Sequence, residues 1–60
     1  MKNYFLNYQN NRYSIEGSKS IGYKIYVLKS NSYIYIGNSI CDTPKRAIID
    51  VLNKQYRTYY

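Results

Sequence analysis

Histidine and tryptophan are absent from this chain of 60 residues, and cysteine, proline and methionine occur once each. A lone Cys41 closes no internal disulfide. Structural zinc takes four ligands from Cys, His, Asp and Glu, and with no histidine and one cysteine no such site is expected. Acid–base and nucleophilic catalysis need groups that move protons or attack. Here the only carboxylates, Glu16, Asp42 and Asp50, are scattered along the sequence. Cys41 comes just before a helix start, where the helix dipole lowers a thiol pKa. No partner base accompanies it, so it reads as a small packing residue. Gly17 and Gly22 lack the Gly-Lys-Ser/Thr that completes a phosphate-binding loop. No stretch approaches the ~20 apolar residues of a membrane span, and Met1 to Asn7 lack the apolar run of a signal peptide. The expectation is a non-enzymatic protein with no catalytic residue, no cofactor, no metal and no membrane association. The lone thiol suits a reducing compartment, so a cytoplasmic location is expected.

What the chain does have is positive charge and tyrosine. Nine Lys and Arg face three acidic residues, for a net charge of +6. Such a surplus attracts polyanions, although it also serves solubility. Ten residues are tyrosine, a side chain that suits half-buried strands, contact surfaces and stacking on bases. An AT-rich genome also favours Tyr, Asn, Ile and Lys codons, and the seven asparagines fit that bias. A chain this short forms a single domain, residues 1–60, and buries only about 60% of its unfolded surface. Its core is marginal, which leaves a homodimer open.

Alternation and turn chemistry predict four strands and one helix. Strands are expected at about residues 3–8, 12–16, 23–29 and 33–37, and a helix at about 43–58. Tyr4, Leu6 and Tyr8 share one side of the first strand, and Gln9-Asn10-Asn11 makes a tight turn. Gly17 to Gly22 reads as a flexible loop, and Ser30-Asn31-Ser32 closes a second hairpin. Residues 3–8 are either a fourth strand or a swapped arm. Asp42 or Thr43 can cap the helix, with Pro44 in its first turn. Ala47, Ile48, Val51, Leu52, Tyr56 and Tyr59 fall at helical spacing, and Asp50 can pair with Arg46 and Lys54. The fold class is therefore α+β: an antiparallel three- or four-stranded meander sheet with one C-terminal helix packed on one face.

Sorting alternate residues separates the two sheet faces. Ile25, Val27, Ile34 and Ile36 form an aliphatic face for the helix to cover. Lys24, Tyr26, Leu28, Tyr33 and Tyr35 are left on the other. That outer set carries the functional expectation. Lys24, Tyr26, Tyr33 and Tyr35, with Arg12, Lys29 and Lys45 as charge partners, would bind nucleic acid by neutralising phosphates and stacking on bases, with an affinity falling steeply in salt. The bland reading is a solvated strand face; a third is a protein contact, since tyrosine is favoured there. A small phage or mobile-element regulator that binds and inhibits a host protein would fit the third.

Two family resemblances sharpen the expectation. Gly22-Tyr23-Lys24-Ile25-Tyr26-Val27-Leu28-Lys29-Ser30 followed by Tyr35-Ile36-Gly37 resembles the start of a GIY-YIG nuclease domain. The resemblance implies Tyr26 or Tyr23 as the first motif tyrosine, Tyr35 as the second and Arg46 as the assisting arginine, the chain being a truncated, degenerate remnant. From Arg12 onward, with Ile36-Gly37 and Asp42-Thr43-Pro44-Lys45-Arg46-Ala47, the pattern resembles the integrase arm-site-binding and ethylene-response-factor type of DNA-binding domain. That resemblance implies a sheet face that enters DNA, with roles for Lys24, Tyr26, Tyr33 and Tyr35. Both point to DNA.

Overall fold

The computed structural model describes residues 2–57. Four strands, β1 (Lys2–Tyr8), β2 (Asn11–Ser18), β3 (Gly22–Lys29) and β4 (Ser32–Ser39), precede a single helix, α1 (Pro44–Arg57). The strands form one antiparallel sheet in the order β1-β2-β3-β4, a meander. Thr58 and Tyr59, also expected in or beside the helix, lie outside the described residues.

Local chemistry explains the path. Tyr8 faces Asn11 and Lys29 faces Ser32, so two hairpins turn through two residues each. Gln9 (φ 49°) and Asn10 (φ 67°), like Ser30 (φ 50°) and Asn31 (φ 66°), have positive φ at both central positions. This is the type I′ turn, whose twist matches that of the strands it joins. Residues 3–8 are thus a true fourth strand, paired along its length with β2. The middle connection is shorter than the expected loop. Gly17 and Ser18 stay in β2, facing Tyr23 and Gly22, and only Lys19, Ser20 and Ile21 lie outside the strands. Gly17 makes this possible at φ 133°, because a Cβ there would run into the carbonyl of Gly22.

A bulge shapes the other edge. Tyr26 faces Tyr35 but Ile25 faces Gly37, so Ile36 is an extra residue in β4. Beyond it the alternation is inverted. Ile34 shares the side of Val27, while Gly37 and Ser39 share the side of Ile25 and Tyr23. The helix packs on this inner face, where Gly37 offers no side chain. A Cβ at Gly37 would lie 3.0 Å from Val51 Cγ1.

Thr43, rather than Asp42, caps α1. Its Oγ1 accepts from the Arg46 N–H at 3.2 Å and its carbonyl from the Ala47 N–H at 3.1 Å. Ala47, Ile48 and Val51 are buried against Tyr13, Ile15, Tyr23, Ile25 and Val27. Tyr4, Leu6, Tyr8, Ile36 and Leu52 flank this core. The expected core residue Ile34 is not buried: it is 49% exposed. It stands three residues, or about 10 Å of strand, before the glycine on which the helix seats. The helix therefore covers Gly37 and leaves Ile34 in water. Among the described residues, no helix is long and apolar enough to cross a membrane.

Candidate functional site

The outer face is built from residues that alternate with the core. Because Tyr4, Leu6 and Tyr8 turn inward on β1, Phe5 turns outward. Because Tyr13, Ile15 and Gly17 turn inward on β2, Arg12, Ser14 and Glu16 turn outward. The register then sets Phe5 opposite Ser14, Ser14 opposite Tyr26 and Tyr26 opposite Tyr35, one row across all four strands. Tyr33 stands in the neighbouring row, opposite Leu28.

These side chains touch. The Tyr26 and Tyr35 rings are 5.6 Å apart between centroids, at 62°. Phe5 and Tyr33 are 6.1 Å apart at 54°. The Arg12 guanidinium lies over the Phe5 ring, 5.4 Å from its centroid, within cation–π range. Phe5, Tyr33 and Tyr35 keep 51%, 41% and 51% of their surface exposed, and Tyr26 is half-buried between them. Lys24 is exposed at the far end, opposite Glu16 on β2 and Asn38 on β4.

Of the residues expected at the site, Arg12, Lys24, Tyr26, Tyr33 and Tyr35 come together on this face. Lys29 and Lys45 do not join them. Lys29 follows Val27 in the alternation and sits beside the β3–β4 turn on the inner side. Lys45 is exposed in the first turn of α1, on the opposite layer, at a helix end where the dipole disfavours a cation. Arg46, tied by the nuclease resemblance to Tyr26 and Tyr35, is on that same opposite layer, lining a small hollow with Cys41, Ile49, Asp50 and Asn53. Tyr23 is buried beneath the helix and meets Tyr4 edge-on at 6.2 Å. Burial raises its phenol pKa above the ordinary value, with smaller contributions from Tyr4, Asp42 and Cys41.

Phe5 joins the expected residues on this face. Its signal was available: once Tyr4, Leu6 and Tyr8 are assigned inward, Phe5 must point outward.

A second polar cluster joins β4 to the helix. The Ser39 hydroxyl, buried, donates to Asp50 Oδ2 at 2.6 Å and is 3.0 Å from Cys41 Sγ. Lys54 Nζ lies 3.3 Å from the same carboxylate oxygen. Asp50 is thereby committed to holding α1 on the end of β4, and Cys41 packs beside it. This geometry describes a structural latch. Next to it, a half-open groove of about 510 Å³ runs between the β2–β3 turn and the helix, with Glu16, Lys24, Asp50 and Lys54 on its walls. Its mixed charge singles out no ligand. Among the described residues no three His, Cys, Asp or Glu side chains gather as metal ligands would.

No family model, curated protein or solved structure matches the chain.

Proposed function

We propose that this chain is a small non-catalytic nucleic-acid-binding module of the cytoplasm, with DNA its first expected target, and that it grips the ligand with the outer sheet face. One observation carries the reading: two ring pairs, Phe5–Tyr33 and Tyr26–Tyr35, share one sheet face, three of the four rings largely exposed to water, with Arg12 laid over Phe5. Single exposed apolar residues are ordinary, but a contiguous patch marks an interaction site. Rings offer a face to bases, and the net charge of +6 draws a polyanion toward them.

Charge substitutions test the assignment of the face. The variant carrying Arg12→Gln and Lys24→Gln loses its outer-face cations. Each phosphate contact contributes about 0.7–0.9 to the slope of log K against log salt, so the double variant should flatten that slope by roughly 1.5. The pair Lys29→Gln and Lys45→Gln removes equal charge from elsewhere and should change it less. Equal effects from the two pairs, measured by fluorescence anisotropy across a salt series, would sink the outer-face assignment.

A further inference from the structure

We infer that the ligand of the outer face is a single-stranded polynucleotide, bound by stacking of its bases on the four rings, and that duplexes are poor ligands. The inference rests on the reading of this face as the nucleic-acid contact.

The ring geometry is the first support. Tyr26 meets Tyr35 at 62° and Phe5 meets Tyr33 at 54°. Rings lying flat on one another would cover each other's faces; the tilted pairs leave the exposed Tyr33 and Tyr35 rings open to a planar guest, while Arg12 already lies over Phe5. In a duplex the faces of the bases are already stacked on their neighbours and only their edges line the grooves. In a single strand the faces are free, and stacking on aromatic side chains is the usual mode of holding them.

Charge is the second support. A duplex is gripped chiefly through its phosphates. Among the described side chains this face has Arg12 and Lys24, with Glu16 directly opposite Lys24. Lys19, Lys29, Lys45, Arg46 and Lys54 belong to the turns or the other layer. Two cations against one carboxylate is a thin phosphate grip beside four rings. Affinity must come from stacking, and only an unpaired strand offers that. Stacking uses the base and is indifferent to the sugar, so DNA and RNA single strands both qualify.

The test is an anisotropy titration of the full chain against three labelled probes: a mixed-sequence DNA strand of about 12 nucleotides, the same sequence as RNA, and the blunt DNA duplex. At least one single strand should bind about tenfold or more tightly than the duplex, with a shallow salt slope of roughly −1.4 for two neutralised phosphates. Tyrosine emission, unobscured because the chain has no tryptophan, should be quenched by the single strand. Phe5→Leu or Tyr35→Leu keeps bulk but removes the ring, and should weaken single-strand binding about 5- to 100-fold. A duplex bound as tightly as both single strands overturns the inference. The outer-face reading then survives if Arg12→Gln with Lys24→Gln still weakens that duplex. Binding to none of the three probes overturns both. The comparison of probes uses the unaltered chain, so a variant that misfolds cannot obscure it.

Discussion

Tyr13 and Tyr23 on the inner face are 2% and 4% exposed, whereas Tyr33 and Tyr35 on the outer face keep 41% and 51% of their surface in water. The residue type is the same; the parity of its position differs. Successive side chains of a strand point to opposite faces, and only one face has a helix laid on it. Inside, a tyrosine supplies packing area and needs a partner for its hydroxyl; among the described residues no buried side-chain nitrogen or oxygen lacks one. Outside, the same ring is a surface waiting to be covered. An abundance of tyrosine is therefore not one property of this chain. Part of it builds the core of a domain too small to have much of one, and part stands exposed on the outer face.

The strongest way to break this contrast uses isoleucine, where no hydroxyl complicates the result. Ile25 is fully buried, and Ile34, on the same inner side by register, is 49% exposed. Ile25→Ala should cost about 2–5 kcal/mol. A core of this size rarely supplies more than about 3–5 kcal/mol, so the variant should be largely unfolded by circular dichroism without denaturant. Ile34→Ala should cost under about 1 kcal/mol, read as a small drop in urea midpoint. Equal losses from the two would mean that the helix covers the whole inner face after all.

Gly37→Ala sharpens the same point at the seat of the helix. The glycine has φ 151°, and the new methyl group would meet Val51 at 3.0 Å. Backbone strain and a crowded contact together should cost about 1–3 kcal/mol. A matching loss from Gly37→Ala in a chain that also carries Val51→Ala would assign the cost to the backbone; partial recovery would assign it to the contact.

This position also separates what local pattern carries from what it does not. The four strands, the helix and the outward set of Tyr26, Tyr33 and Tyr35 follow from period-2 and period-3.6 patterns, which are local. The bulge at Ile36 is not local. Nothing in Tyr-Ile-Tyr-Ile-Gly announces an extra residue; a plain alternation puts Ile34 and Ile36 together under the helix. It takes the pairing with Ile25 and Tyr26 to make Ile36 the extra residue, and the seat of Val51 on Gly37 to leave Ile34 uncovered. The composition of Gly17 and Ser18 points to a loop because glycine and serine favour turns, and cross-strand pairing with Tyr23 and Gly22 overrides that preference. Lys29 and Phe5 are different in kind. Their sides follow from the alternation itself, so both were legible. The latch from Ser39 to Asp50 was not, since it joins residues eleven apart whose meeting depends on where the helix lies.

The mildest test compares the two populations of tyrosine by their protons. Burial, chiefly, lifts the phenol of Tyr23 above the ordinary pKa of about 10. A raised value in the folded state means that folding favours the protonated, neutral ring. Below pH 10 both folded and unfolded chains keep this proton, so its contribution to stability is constant. As pH rises through 10 the unfolded chain gives up the proton first, and the contribution is lost progressively as pH climbs through the folded value. Tyr23→Phe has no such proton. The stability of the parent chain should therefore fall more steeply above pH 10 than that of the variant, while the two run parallel at neutral pH. Phenolate absorbance near 295 nm reports the same event directly, and the variant should lack one step from the upper end of the titration. If the missing step falls at or below pH 10, Tyr23 is not held in the dry interior that the inner face requires, and the contrast between the faces loses its clearest inner member.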